Sequence, residues 1–445
     1  MPACRKTRQG KRRHQAQSMQ ILIVGAGLAG VTAAWYLKAA GHAVTVIERE
    51  AGPALETSFA NGGQISISHP EPWANPSAPL TVLKWLGRKD APLLFRWPAE
   101  PARIHWGLQF LRECLPGRTR RNTAAIAHLA AYSGEQLRIL REATDIHYNS
   151  LSRGVLHLYF AKENYLHGEA QQKLLGQLGI PSRMLTPSAC VDVEPSLARI
   201  ETRLVGGMLG EDDESGDAQR FASELAERCA SAGVRFLYNT SVEQIFHTQT
   251  RITGLLCQQD GDTVQLEADS YVIAAGSYST PLARMADERL PIYPVKGYST
   301  TLKLKDAAAA PSVSLTDESR RIVCSRLGDQ LRIAGTAELN GYNTDIDPER
   351  CAALVRWVED IFPGACDTQE PHYWAGLRPT TPSNLPIIGR GKLENLYYNT
   401  GHGTLGWTLA AGSAHALSDI IDGRTPAIAP FAGGTREFPL TTQPI

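Results

Sequence analysis

The chain has 445 residues, of which 43% are hydrophobic and 20% charged, a globular composition that excludes disordered, collagen-like and fibrous classes. That length exceeds what one ordinary core fills, so two domains are expected. Lys plus Arg and Asp plus Glu each number 45, and the resulting zero net charge gives no global argument for a nucleic-acid partner.

The balance is uneven along the chain. Residues 1–18 hold Arg5, Lys6, Arg8, Lys11, Arg12 and Arg13 and no acid, so the remaining 39 bases face 45 acids, a formal charge of −6. We read 1–18 as a basic, disordered extension upstream of a folded unit that opens at Met19. Arg12-Arg13 before an apolar run suggests an export signal, but Gly25, Gly27 and Gly30 break the run and no small-residue cleavage site follows, so export is not expected. No segment reaches the ~18 consecutive apolar residues of a membrane span. The eight cysteines are scattered without a C-x-x-C pair, which fits reduced thiols in the cytoplasm, and nothing has metal-ligand spacing; no metal is expected.

Residues 20–24 read as a short buried strand, 28–40 as a helix ended by Gly41, and 43–47 as a second buried strand closed by Glu48. This is a parallel crossover unit. Residues 52–120 are rich in Pro, Gly and Trp and read as long loops with short helices near 81–85 and 104–114, the kind of stretch that lines a site. Periodicity predicts a helix over 123–143 and a strand over 154–160. Asp217 is placed as the N-cap of a helix over 218–232, ended by Gly233. Strands follow at 234–238, 252–257, 263–267 and 271–275. An antiparallel pair, 321–325 and 331–335, flanks the turn Gly328-Asp329. Residues 350–361 are helical, and 395–421 read as strand, glycine turn and helix.

The turn Gly25-Ala26-Gly27-Leu28-Ala29-Gly30 follows strand residues Ile21, Leu22, Ile23 and Val24 and opens the first helix. Gly25 serves the tight turn, Gly27 the approach of a pyrophosphate and Gly30 the packing of helix on strand, while the helix N-terminus attracts the phosphates. Glu48, with Arg49 beside it, stands about 20 residues on, where a carboxylate accepts ribose hydroxyls. An acid there disfavours NADP and leaves NAD or FAD. The buried strand ending at Ala275-Gly276, in a block that follows Val242, and the glycines Gly401, Gly403 and Gly406 before the last helix favour FAD. A helix start there would stabilise the negative charge that a reduced flavin gains.

With those motifs, the chain resembles the FAD-dependent D-amino acid dehydrogenases, within the wider group that includes D-amino acid oxidase and glycine oxidase. The resemblance runs from about Met19 to Pro430. It is carried by Gly25–Trp35, Glu56-Thr57-Ser58 with Asn61 and Gly63-Gln64-Ile65-Ser66, Asp213–Asp217, Gly276–Thr280, Pro294–Ser299, Trp374–Pro382 and Asn399–Thr408. It implies an α/β fold, with a Rossmann-type FAD-binding domain and a second α+β domain on a largely antiparallel sheet. We assign 19–100, 204–285 and 372–430 to the first, 101–203 and 286–371 to the second, and 431–445 to a tail. FAD contacts are expected from Ser58, Asn61, Gln64, Ile65, Gly403, Thr404, Leu405 and Gly406 besides the residues above, with the flavin bound non-covalently.

In this family the arginine of the Gly-x-Arg-Pro element, here Arg378, holds the substrate carboxylate in a bidentate fork. Tyr298 and Tyr342 are candidates to add hydroxyl donors or to close the cavity, with plain packing as the alternative. His402 lies near the expected ring, where a backbone role ranks above a catalytic one. The implied reaction takes a D-amino acid to a 2-oxo acid and ammonia, by hydride transfer from the alpha carbon to flavin N5 without a strong side-chain base. Electrons are expected to pass to a respiratory, quinone-type acceptor, with the protein cytoplasmic or peripheral at the inner face of the plasma membrane; an amphipathic patch within 80–115 is the candidate membrane contact, and packing explains those residues equally well. An oxygen-using amine oxidase of the glycine, sarcosine or proline type and an FAD-binding electron carrier without its own substrate site are the competing expectations. Residues 67–75 depart from the family pattern, and His69 and Glu71 add ionisable groups beside the expected cavity.

Overall fold

Short β-branched runs buried on both faces make a parallel sheet, because a strand without alternation must be covered on both sides. In the computed structural model, which describes residues 18–85, 91–95 and 100–428, Gln20–Val24 is such a run. It pairs in parallel with Ala43–Ile47 on one side and Ser270–Ile273 on the other. Arg235–Leu237 and Leu396–Thr400 extend the parallel sheet at its two ends, and Ile387–Arg390 adds an antiparallel edge. The order of strands reverses direction at Gln20–Val24, the place where open α/β sheets bind ligands.

Helices Leu28–Ala39, Ala218–Ser231, Pro116–Thr144 and Gly406–Ile421 form one core on this sheet. On the other face, a three-stranded antiparallel sheet, Thr240–His247, Ile252–Gln259 and Asp262–Leu266, packs Ile245, Leu255 and Cys257 against Leu22, Val24 and Ile273. The extension 1–17 and tail 429–445 lie outside the described residues.

The second unit is a nine-stranded sheet. In space it runs His372–Thr380, Tyr293–Lys303, Gln330–Leu339, Ile322–Leu327, Ser314–Asp317, Val155–Tyr159, Gly206–Gly210 and Ser182–Leu185, with Leu93–Phe95 also pairing with Gln330–Leu339. Alternation is clean in its centre. Ile322, Cys324, Leu331 and Ile333 point into a core with helix Pro348–Ile361, whereas Val323 and Ala334 face the first unit. The chain crosses between units more often than the sequence segments expect. Strands 206–210 and 372–380, placed with the cofactor unit on sequence, belong to this sheet. Helix 116–144, placed with the substrate unit, packs Leu129, Leu137 and Leu140 into the core of the parallel sheet. The reason is physical: periodicity fixes which face of an element is buried, not which neighbour buries it.

The helix signals read from sequence hold at their ends. Asp217 Oδ1 accepts the backbone N–H of Gln219 at 3.0 Å and of Arg220 at 3.1 Å, and Gly233 closes the helix's exit turn with φ +91°. Replacing Asp217 by Ala removes both bonds and should cost about 1 kcal/mol. The urea midpoint should shift down without a change in slope, and an unmoved midpoint would refute the cap.

Candidate active site

A cavity of about 690 Å³ runs between the two sheets, along the carboxyl ends of the parallel strands. Gly25 sits at φ +109°, and a Cβ there would lie 2.7 Å from the carbonyl oxygen of Ala274. A Cβ on Gly30 would fall 1.8 Å from the Gly25 carbonyl, so helix and turn touch through this residue. Gly27 is different: its nearest neighbour would be Ser58 Oγ at 3.5 Å, and it opens on the cavity.

Of the residues expected at a dinucleotide, Val24, Gly25, Gly27, Leu28, Ala29, Glu48, Arg49, Ser58, Asn61, Gln64, Val242, Ala275, Gly276, Gly403, Thr404, Leu405 and Gly406 line this cavity. Ile21, Leu22, Ile23, Ala26, Gly30 and Ile65 do not; they are the packed layer behind it. Glu48 accepts the N–H of Ala26 at 2.7 Å and of Glu50 at 3.0 Å. Burial pushes its carboxyl up, against those two bonds. Arg49 stacks 3.7 Å over the ring of Tyr278 and pairs with Glu56. Gln64 Nε2 reaches across to Ser314 Oγ, Leu315 O and Thr316 Oγ1, joining the two units at the cavity floor.

The opposite wall is built around Arg378. A side chain on Gly297, on the adjacent strand, would meet its guanidinium at 2.2 Å, so only glycine leaves that space. Beyond Gly297 the pairing of 293–303 with 330–339 slips: Lys296 faces Glu338 but Tyr298 faces Gly335. Thr336 and Ala337 therefore oppose one residue, a β-bulge. Thr336 has φ +57°, a strained conformation for a β-branched side chain, and its carbonyl accepts from Arg378 Nη1 at 3.0 Å. The Lys296 carbonyl lies 3.5 Å from the same nitrogen. Among the described residues no carboxylate pairs with Arg378. Burial alone pulls its pKa down, to about 10, so it stays a cation at neutral pH. A half-buried cation held by carbonyls and facing a cavity is a site for an anion. Trp374, whose indole lies over Gly376, supplies an apolar wall beside it.

The other proposed catalytic residues are placed differently. Tyr298 borders the cavity, but its hydroxyl donates to Glu338 Oε2 at 2.7 Å and its ring packs in the core below the sheet. Glu338 in turn is 3.4 Å from the buried Lys296 ammonium. The Tyr298 hydroxyl is thus committed away from Arg378. Tyr342 is 42% exposed, donates to the Ser277 carbonyl at 3.1 Å and rests against Tyr278, outside the cavity lining. His402 lines the cavity but is buried, with Nε2 3.1 Å from Ser413 Oγ.

Sequence reasoning missed several wall residues. Gly297 and Thr336 escaped because their role depends on a bulge, which no local pattern marks. Glu318 and Arg321 escaped because their neighbours come from distant segments. His69 and Glu71 were flagged, and both line the cavity; Glu71 accepts from His167 at 2.8 Å.

The profile of the family described as FAD dependent oxidoreductase (DAO) matches residues 20–420. The chain is 51% identical over 409 residues to a protein of Dechloromonas aromatica named D-amino acid dehydrogenase, covering 92% of this chain and 98% of that one. It is 45% identical over 421 residues to one of the same name from Paramagnetospirillum magneticum, covering 94% and 99%. Among solved structures, glycine oxidase from Geobacillus kaustophilus superposes with a TM-score of 0.72 at 20% identity, covering 95% of this chain and all of that one. L-proline dehydrogenase from P. horikoshii superposes at 0.68 with 16% identity, covering 93% and 96%. These last two likenesses are of fold.

The cavity wall suits FAD. Gly27 and the start of Leu28–Ala39 leave a bare backbone surface for a pyrophosphate, and Glu48 faces the adjoining space. Asn399 Oδ1 and Trp407 Nε1 are buried without a partner among the described residues, and both residues border the same cavity. Gly403–Leu405 and the helix from Gly406 close the far end.

Burial lowers the His402 pKa to about 4 from 6.5. The unfolded chain therefore binds the extra proton first, and this residue costs stability as pH falls from 6.5 towards 4. The loss should approach about 3 kcal/mol. His402→Asn should flatten the acid limb of stability measured by urea unfolding against pH; an unchanged limb would assign the acid loss elsewhere.

Proposed function

The chain belongs to the DAO family of FAD-dependent oxidoreductases, and within that family we propose that it oxidatively deaminates D-amino acids to 2-oxo acids and ammonia, passing the electrons to a membrane-held, quinone-type acceptor. The single observation that carries the substrate reading is the cation of Arg378, half-buried at the cofactor cavity with carbonyls but, among the described residues, no carboxylate around it. The names of the relatives supply the handedness and class of the substrate.

FAD held along Gly25, Gly27, Glu48 and the Gly403–Gly406 turn would supply a two-electron sink for oxidation of the substrate. The protein's own part is positioning and exclusion of water. Arg378 takes the carboxylate, with its fork aimed by the Thr336 and Lys296 carbonyls. Trp374 and Val323 limit where the side chain goes. The neutral imidazole of His402 adds no charge to the wall. Holding the reacting carbon against the ring is the main source of rate, and no side chain needs to act as a strong base. In Arg378→Ala, KM for D-amino acids should rise on the order of 100-fold, from the loss of a charge-assisted pair of up to about 3 kcal/mol, with FAD content unchanged. Unaltered KM would overturn the assignment.

The acceptor reading rests on a surface. Among the described residues no helix is long and apolar enough to cross a membrane. Yet helices Ala78–Trp85 and Pro101–Glu113 show Leu80, Leu83, Ile104, Leu108, Leu111 and neighbouring Leu115 at 51–66% exposure. The segment is basic: residues 101–121 hold Arg103, Arg112, Arg118, Arg120 and Arg121 against Glu113, and Lys84 stands on the first helix; Arg103 turns to the Leu339 carbonyl and Arg118 pairs with Glu113, while Arg112 and Arg120 are exposed. Apolar side chains rimmed by cations fit an anionic lipid surface. Thr81, Val82 and Trp85 of the same helix line the cavity, so this face adjoins the flavin site. Holoenzyme should co-sediment with phosphatidylglycerol vesicles and less with phosphatidylcholine alone. Leu108→Glu with Leu111→Glu should abolish binding while dye-coupled turnover persists; equal sedimentation of wild type and variant would refute the lipid face.

A further inference from the structure

One polar cluster at the cavity wall has no part in the reaction described above. Strand Val155–Tyr159 runs parallel to Ser314–Asp317, with His157 opposite Thr316, and Glu318 follows at the strand's end with its N–H on the Leu158 carbonyl. His69 comes in from the loop after Gln64-Ile65. Glu318 Oε1 is 2.9 Å from His157 Nδ1 and 3.5 Å from His69 Nε2, and one nitrogen from each ring and this oxygen all lie within 4.8 Å of one another. We propose that His69, His157 and Glu318 bind a divalent transition metal ion of the zinc type in the wall of the cofactor cavity.

The spacing fits. Zinc takes imidazole nitrogen and carboxylate oxygen at about 2.0–2.2 Å, which puts tetrahedral ligand atoms roughly 3.3 Å apart. The two nitrogen–oxygen separations, 2.9 and 3.5 Å, bracket that value. Two imidazoles and a carboxylate are a donor set suited to zinc rather than to magnesium or calcium, which prefer all-oxygen sites.

The carboxylate of Glu318 is oriented from its other side as well. Arg321 takes the other oxygen, Oε2, at 2.6 Å, which leaves Oε1 aimed between the two rings. That guanidinium orients the ligand and also offsets its charge, so the site is weaker than an isolated His-His-Glu set.

The rigid members are well held. His157 is 1% exposed and presents Nδ1, the nitrogen 2.9 Å from Glu318 Oε1, to the cluster. His69 and Glu318 both line the large cavity, so three protein ligands leave a fourth position open towards it, the arrangement of a site that admits a small donor. The pair Glu71–His167, on the same wall, lies beside this opening.

The site is tested on FAD-loaded enzyme with ZnCl2 as the probe, by isothermal titration and by metal content after dialysis in metal-free buffer. The expected result is one zinc per chain, with affinity reduced at least 100-fold in His69→Ala, while the flavin spectrum and Tm stay those of the wild type. His157→Gln, at a buried position, should show the same loss, and His69→Cys should restore much of the binding. If wild-type enzyme takes up no more zinc than His69→Ala, the cluster is a hydrogen-bond network and the proposal falls. Neither result bears on the Arg378 assignment, because that is read from KM in metal-free enzyme.

Discussion

The half-buried guanidinium of Arg378, with no carboxylate beside it among the described residues, is the constraint around which this site is arranged. Removing a cation from water is costly unless an anion or several dipoles replace the lost hydration. Here the protein supplies two carbonyls and no carboxylate from the described residues. Keeping the cation there also requires a missing side chain at Gly297, a bulge in the neighbouring pair of strands and a left-handed Thr336. None of these helps the fold. Strain, unmet charge and absent packing in one place are what a binding site costs in stability, and they are tolerated because the nine-stranded sheet is strong elsewhere.

Positioning that cation is useful only if it is fixed relative to the cofactor. The link is the Leu377 carbonyl, one residue before Arg378. It accepts from Thr57 Oγ1 at 2.9 Å and from Ser277 Oγ at 3.0 Å, two hydroxyls from separate segments of the cofactor wall. The Thr380–His402 bridge joins the same strand to the glycine turn before the last helix. The strand that carries Arg378 is therefore hydrogen-bonded to cofactor-side segments before, beside and after it. This explains why strand 372–380 is covalently continuous with one unit yet paired into the sheet of the other.

Local chemistry was readable from the sequence, and distant pairing was not. The Gly25–Gly30 turn, Glu48, the Asp217 cap, the Gly328-Asp329 hairpin and Arg378 each declare themselves within a few residues, because turn, cap and strand-end chemistry is short-ranged. Helix 116–144 shows the limit: its apolar stripe was visible, but the partner that buries it was not. Tyr298 shows another limit. A tyrosine beside a substrate strand reads equally as a donor to ligand or as packing, and only the pleat, which turns its hydroxyl to Glu338, separates the two. The grouping of His69, His157 and Glu318 lies beyond any spacing rule, since 161 residues separate the last two.

The cavity wall is also chemically two-sided. His69, Glu71, Glu318 and Arg321 make one stretch of it polar, whereas Val82, Trp85, Leu93 and Phe110 make another apolar. A zwitterionic substrate and the lipid-soluble acceptor proposed above have opposite solvation, so a single uniform entrance would serve one of them badly. A wall that changes character along its length favours each where the other is disfavoured. Helix 78–85 carries this division on one element, with Thr81, Val82 and Trp85 towards the cavity and Leu80 and Leu83 towards the outside. Its eight residues bury no side chain fully. Burial in the protein therefore contributes little to holding it, and an amphipathic element of that kind gains most of its stabilisation from whatever covers its outer face.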